Sequence, residues 1–397
     1  MFNKLRLLTP GPTPLPEEVR LALARDMIHH RKPAFKKILA SCQKGLQTLF
    51  GTKEPVLLLT ATGTGAMDAA VTNCFAPGEK VLVVEAGKFG ERWREIATAH
   101  GLLSVSIPVE WGRAVTKDEV AAAAAAHPDA TGLLVQASET ATGALHPIEE
   151  LGPLCRERKL LLVVDGISAV GISPCPMDDW SIDCLLTGSQ KGLMLPPGLA
   201  FMSLSPRAWA KVEAVKPKNF YFNLLAERAK VAGGQTLFTS AVNLVLGLEA
   251  CLQRFDAIGL ENVYRKQWAL TMCARAGVKA MGLEPLVAQR FTWGLTSVKL
   301  PEGIDGQKLL AIAADSYGVV FAGGQDRFKG RIVRIGHMGH VDWADLAAGL
   351  HALARSYQRC GGYVGGRDYL EKGLAAYEEA LEGGKCGAII DVSSFPA

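Results

Sequence analysis

The chain has 397 residues, enough for two to three domains at roughly 150 residues each, and its 49% hydrophobic and 21% charged residues exclude wholesale disorder. Its net charge, 43 basic minus 39 acidic residues or +4, is too small and too evenly spread to mark a nucleic-acid-binding surface. The longest apolar runs, such as residues 160–164, fall far short of the ~20 residues of a membrane helix, and the N-terminus lacks the apolar stretch of a signal peptide.

Along the chain, apolar runs alternate with helical patterns, as in a parallel sheet covered by helices. Residues 55–60 read as a strand, followed by a Gly-rich turn and a helix through 67–73. Residues 80–85 form the next strand; a loop carries Phe89, and 92–100 is helical. Strands at 102–107, 132–136, 160–165, 183–187 and 199–204 follow, with helices at 116–126, 149–158 and 242–255. The character changes after about residue 256. One long amphipathic helix, 260–282, precedes strands at 296–300, 319–322 and 331–335 and helices at 306–316 and 343–356. Two helices against a small, mostly antiparallel sheet predict a second α/β domain. A further helix, 369–381, lies in the C-terminal extension.

Nine cysteines are scattered without a Cys-x-x-Cys pair, which fits reduced core thiols in a cytoplasmic protein and gives no disulfide framework. His29-His30 and His337-x-x-His340 lack a glutamate at the spacing of a zinc helix, so no metal site is expected.

Five features carry chemistry. Gly188-Ser-Gln-Lys-Gly192 puts a lysine directly after an apolar strand, between glycines. Lys191 reads either as a solvated loop lysine or as an amine that burial deprotonates for Schiff-base chemistry. Asp165 ends the apolar run Val163-Val-Asp-Gly166. It reads as a capping residue or as the partner of a buried cation such as a protonated pyridine ring. Thr62-Gly-Thr-Gly-Ala66 reads as a tight turn or as backbone amides and a helix N-terminus offered to a phosphate. Phe89 reads as core or as a ring stacked on a flat ligand. Arg334, in Arg331-Ile-Val-Arg-Ile-Gly336, shares a strand face with Ile332 by alternation. It is expected to pair with an internal carboxylate or with the α-carboxylate of an amino acid.

Taken in order, with the lysine 26 positions after the aspartate (165 to 191), these features make the chain resemble the class V, fold-type I pyridoxal phosphate aminotransferases, especially the alanine/serine–glyoxylate branch. The resemblance runs from Leu8-Thr-Pro-Gly-Pro-Thr-Pro14 to Arg334-Ile-Gly-His-Met-Gly339. It is strongest in Val164-Asp-Gly-Ile-Ser-Ala-Val-Gly171 and Thr187-Gly-Ser-Gln-Lys-Gly192.

The resemblance implies an N-terminal segment (1–14), a large cofactor-binding domain (15–255) with a mostly parallel seven-stranded sheet, a smaller C-terminal α/β domain (256–360) and an extension (361–397). The cofactor implied is pyridoxal 5'-phosphate. Lys191 would bond to it and shuttle the proton, and Asp165 would hold the pyridine nitrogen. Thr64, Gly65 and Ala66, with Gln190, would hold the phosphate. Phe89 would stack on the ring, and Thr140 would lie near its phenolic oxygen. Thr239 would reach the phosphate from the other subunit of a homodimer, whereas Thr236 replaces a tyrosine found in some relatives. Arg334 would clamp the substrate carboxylate. His30-Arg31 falls in a pocket-lining loop of some relatives and reads as a surface turn or an anion selector.

The activity implied is ping-pong transfer of an amino group from alanine or serine to glyoxylate or pyruvate. Two alternatives stand beside it. A cysteine desulfurase-like lyase would need a reactive late cysteine, Cys360 or Cys386. A non-catalytic subunit is the other, since members of this family carry the label of hydrogenase subunits.

Overall fold

The computed structural model describes residues 4–383. Its centre is a seven-stranded sheet in the order Val56–Leu59, Ala200–Leu204, Cys184–Gly188, Leu161–Asp165, Ala130–Gln136, Lys80–Glu85, Leu103–Pro108. Ala200–Leu204 runs antiparallel to both neighbours, and the pairings among the other central strands are parallel. The mostly parallel sheet expected from the sequence is therefore present.

Both faces of the inner part of this sheet are covered, so its inner strands are largely apolar, and period-two alternation divides them between two cores, whereas the edge strand Leu103–Pro108 is mostly exposed or half-buried. Val56, Leu58, Leu82, Val84, Leu133, Val135, Leu162 and Val164 face helices Pro33–Phe50 and Val242–Ile258. Leu57, Leu59, Val81, Val83, Leu134, Leu161 and Val163 face helices Gly63–Cys74 and Pro206–Val215. The helix Lys117–Ala126 starts at Thr116, where Thr116 and Glu119 form a reciprocal capping box.

A second sheet, Arg6–Leu8, Val319–Gly323, Ile332–Gly336, Leu295–Lys299, Glu284–Pro285, is antiparallel except where Arg6–Leu8 lies parallel to Val319–Gly323. The N-terminal segment is thus built into the C-terminal sheet. Helices Leu260–Ala280, Gly306–Tyr317 and Trp343–Arg359 pack on it, and Tyr369–Glu382 lies against Leu260–Ala280. No helix among the described residues is long and apolar enough to cross a membrane.

Parallel pairing brings the carboxyl ends of the central strands to one edge of the sheet, where open α/β sheets bind ligands. Asp165 and Gly188 end adjacent strands there.

Candidate active site

Beyond Gly188 the chain turns through Ser189 and Gln190 to Lys191, which is only 8% exposed. Segment 9–13 closes over this turn. The Thr13 amide donates to the Gln190 carbonyl at 3.1 Å, its hydroxyl donates to the Lys191 carbonyl at 3.0 Å, and Lys191 Nζ donates to the Pro10 carbonyl. Gly11 sits at φ +102°, and a Cβ there would lie 2.4 Å from Lys191 Cδ and 2.5 Å from Cε. A glycine is required for the approach as well as for the backbone angle. Burial lowers the Lys191 pKa to about 8. The nearby Asp165 carboxylate opposes the shift, and Arg334 and Arg92 add to it.

Asp165 is 4% exposed, and burial raises its pKa to about 6 against the hydrogen bond its Oδ1 accepts from the Ile167 amide at 2.8 Å. The Lys191 ammonium also pulls it down. A carboxyl and an amine thus share one dry site at adjacent strand ends.

The Gly-rich segment is already helical. Helix Gly63–Cys74 begins four residues before the expected start at 67. Gly65 and Ala66 donate their amides to the Thr62 carbonyl at 2.9 and 3.3 Å. The Gly63 and Thr64 amides precede the first intrahelical bonds and face outward, as at any helix N-terminus. Gln190 Oε1 is buried without a partner. A Cβ built on Gly188 would meet that atom at 2.9 Å and the Gly63 nitrogen at 3.4 Å, so the amide and the helix start border one gap.

Phe89 lies within helix Lys88–Ala99, in its first turn, and not in a loop as the sequence suggested. The reason is Glu139, a fully buried carboxylate that accepts from the Phe89 and Gly90 amides, each at 3.2 Å, and so fixes the start of this helix. Glu139 also accepts from the Ala141 amide at 2.9 Å and Gln136 Nε2 at 2.8 Å. Burial raises its pKa to about 7 in spite of these donors. Arg92, one turn after Phe89, stacks its guanidinium 4.8 Å from the Phe89 ring centroid and donates to Thr64 Oγ1 at 3.2 Å.

Arg334 lies in strand Ile332–Gly336, which is buried along its whole length. Its partners are backbone carbonyls: Nε donates to Gly323 at 2.9 Å and Nη1 to Thr140 at 2.8 Å. Neither acceptor is a carboxylate, and no ion pair among the described residues consumes the charge. Burial lowers the Arg334 pKa, and Glu139 counteracts this. Thr140 Oγ1 lies 2.6 Å from Ser168 Oγ.

Thr239 stands apart from this group in the single chain. It is exposed and lines a surface hollow with Thr60 and Phe222. Thr236 is buried and donates its hydroxyl to the Phe238 carbonyl at 2.8 Å. Arg31 binds this same loop, donating to Gln235 Oε1 at 3.0 Å and the Thr236 carbonyl at 2.7 Å, so within one chain it braces the segment bearing Thr239.

Sequence reasoning missed Glu139, Arg92, Pro10, Gly11 and Thr13. Glu139 directly precedes Thr140, and Arg92 follows Phe89 at a helical spacing of three. Pro10, Gly11 and Thr13 carry no local signal, since their partners lie about 180 residues away.

A two-domain α/β fold with lysine and aspartate at neighbouring strand ends defines the fold-type I class. The family model for class V aminotransferases matches residues 17–331, and the chain belongs to that family. It is 36% identical to a protein named the small subunit of a soluble hydrogenase from Synechococcus sp. strain PCC 6716, over 89% of this chain and 93% of that one. It is 35% identical to the L-aspartate–glyoxylate aminotransferase of Paracoccus denitrificans, covering 88% and 90% of the two chains. The crystal structure of a Thermus thermophilus aspartate aminotransferase superposes with a TM-score of 0.84 at 34% identity, over 89% of this chain and 99% of that one.

The protein is a transaminase that depends on pyridoxal 5'-phosphate. The residues present fit the group. The outward amides at the Gly63 helix start suit a phosphate, toward which Gln190 would turn its side-chain NH2 rather than the orphaned Oε1, and the dry Asp165 carboxyl suits a pyridinium nitrogen.

Proposed function

We propose that the protein moves an amino group from a small L-amino acid, alanine or serine, to glyoxylate or pyruvate, in two half-reactions served by one site. When bound, the cofactor supplies a protonated pyridine ring that draws electrons from the substrate Cα. Residues 15–255 hold it: Lys191 by covalent attachment, Asp165 at the ring nitrogen, Phe89 against the ring and Thr140 near its phenolic edge. Thr64, Gly65, Ala66 and Gln190 surround its phosphate, to which the Gly63 amide adds a donor. Residues 256–360 contribute Arg334.

The observation that carries this reading is the setting of Arg334. Two carbonyls moor its guanidinium by Nε and Nη1, leaving Nη2 and the second Nη1 hydrogen for a ligand. A substrate carboxylate seated there presents its Cα hydrogen toward Lys191. With its proton affinity lowered by burial, Lys191 Nζ is a base able to accept that proton near neutral pH. Donor and acceptor both carry an α-carboxylate, so a single clamp serves both half-reactions. Arg31 is tied to its own chain's carbonyls, which favours a donor with one carboxylate.

The working unit is a homodimer in the cytoplasm, with Thr239 completing the partner's phosphate site. Exposed Met27 (71%), Phe220 (84%) and Tyr221 (50%) give the surface an apolar character suited to a second copy. The desulfurase reading has little support. Cys360 is partly buried with its thiol pKa raised by burial, and Cys386 lies outside the described residues.

The test is a donor screen. Purified holoenzyme is mixed with alanine, serine, aspartate or cysteine, and the cofactor's visible absorbance is followed. Alanine or serine is expected to shift the band, and glyoxylate or pyruvate to restore it. A shift with aspartate alone would overturn the donor assignment, and sulfide release from cysteine would favour the lyase. A protein that takes up no cofactor would favour the non-catalytic subunit.

A further inference from the structure

On the far side of the Lys191 turn lies a second group of basic side chains that transamination does not use. Lys266, on helix Leu260–Ala280, donates from Nζ to the Gly339 carbonyl at 2.8 Å. Arg254, on helix Val242–Ile258, and His340 stand beside it. The three residues line both a small cavity of about 80 Å³, whose opposite wall is Gly171, Gly192 and Met194, and a wider groove of about 660 Å³ that also includes Arg20.

The carboxylates nearby already have partners. Glu18 pairs with Arg254 at 2.7 Å, Asp345 pairs with Arg6 at 3.3 Å, and Asp342 caps helix Trp343–Arg359 by accepting the Asp345 amide at 2.8 Å. Lys266 therefore has an ammonium with three donors, one neutral acceptor and no carboxylate in contact. Burial lowers its pKa to about 8; Arg254 adds to the shift, and the Asp342 and Asp345 carboxylates oppose it. A buried ammonium that touches no carboxylate is costly unless an anion joins it, whereas Arg254 already has Glu18 and burial lowers the His340 pKa.

We propose that Lys266, Arg254 and His340 form a second anion site, distinct from the Arg334 clamp, that takes one small dianionic oxyanion. The 80 Å³ cavity has room for a group the size of a phosphate or a carboxylate head. The site touches the catalytic turn from behind. Gly339, whose carbonyl holds Lys266, packs so closely that a Cβ on it would lie 3.2 Å from the Lys191 carbonyl oxygen and 3.1 Å from Thr13 Oγ1. An anion that draws Lys266 away from Gly339 loosens one support of that turn.

The test is calorimetric titration of holoenzyme with inorganic phosphate and, separately, with succinate. Cofactor is kept bound so that its own phosphate fills the Gly63 helix start, a control that rests on the proposed function. Wild type is expected to bind at one site per chain. Lys266→Met should weaken binding about ten- to a hundredfold, the worth of one or two charge-assisted hydrogen bonds. Arg334→Lys should leave phosphate binding within about twofold. The two probes separate the sources: phosphate alone marks an inorganic-phosphate site, and succinate alone a carboxylate site.

A thermal melt guards against misfolding. Lys266→Met should still unfold in one cooperative transition, its midpoint balancing loss of the Gly339 hydrogen bond against removal of a buried ammonium, and anion should raise the midpoint of wild type only. Equal anion affinity in wild type and Lys266→Met, or absence of binding of either probe to wild type at millimolar concentration, would overturn the proposal. Loss of binding in Arg334→Lys with retention in Lys266→Met would assign the anion to the substrate clamp and overturn it equally.

Discussion

Replacing Arg334 by lysine keeps a positive charge in the pocket and removes its geometry. The wild-type guanidinium is held by Gly323 and Thr140 carbonyls at 2.9 and 2.8 Å, on two different nitrogens, which fixes its plane. A lysine ammonium places all its donors on one atom and cannot span both carbonyls while offering two parallel hydrogen bonds to a carboxylate. The loss is then about one charge-assisted hydrogen bond, roughly 1.5–3 kcal/mol, or about ten- to a hundredfold in kcat/KM. It should appear in both half-reactions, because donor and acceptor each carry the carboxylate. The assay is single-turnover absorbance with alanine and with glyoxylate, set beside an amine lacking a carboxylate. The carboxylate-free amine should react equally with both enzymes. If Arg334→Lys slowed that amine as much as alanine, Arg334 would be a structural residue, and the carboxylate would have to be read elsewhere.

Further substitutions probe the rest of the site. Asp165→Ala should lower kcat at least about tenfold, about 1.4 kcal/mol, with a smaller effect on cofactor retention; a change within twofold would refute the pairing with the ring nitrogen. Gly11→Ala introduces a Cβ 2.4 Å from Lys191 Cδ at a strained φ. It should cost about 1–3 kcal/mol of stability by denaturant titration and a larger share of activity, and wild-type turnover would show that the segment does not position Lys191. Glu139→Gln sets an amide NH2 among four N–H donors and should destabilise the protein by about 1–3 kcal/mol; an unchanged denaturation midpoint would contradict the buried acceptor role. In the cofactor-free protein, Lys191 has a pKa near 8, below its ordinary 10.5, so the unfolded chain binds more protons between those values. Lys191 should therefore make stability rise with pH from about 8 to 10.5, by up to roughly 3 kcal/mol, and Lys191→Met should remove that share while leaving the share of Lys266, whose pKa burial also lowers to about 8. A slope unchanged by the substitution would assign it wholly to other groups.

Much of this was legible in the sequence, and the exceptions have physical causes. The central strands could be read because both faces are buried and their apolar runs are unbroken, and Asp165 and Lys191 stood out as charges at the ends of two such runs. Helix Pro33–Phe50 escaped notice although its buried residues, Phe35, Leu39, Cys42, Leu46 and Leu49, follow helical spacing. The position of Phe89 could not be read locally, because the helix start it occupies is fixed by Glu139, 50 residues away. The acceptors of Arg334 are carbonyls, which every residue possesses, so no pattern of residue types reveals them. Contact between segment 9–13 and Lys191 likewise exists only after folding.

The central claim is that Lys191 is the amine bonded to the cofactor, and borohydride reduction of the holoenzyme followed by peptide mapping tests it most directly. The account predicts one phosphopyridoxyl group per chain, on the peptide containing Lys191, and none in Lys191→Ala. A label on Lys266 or any other lysine, with Lys191 unmodified, would contradict it.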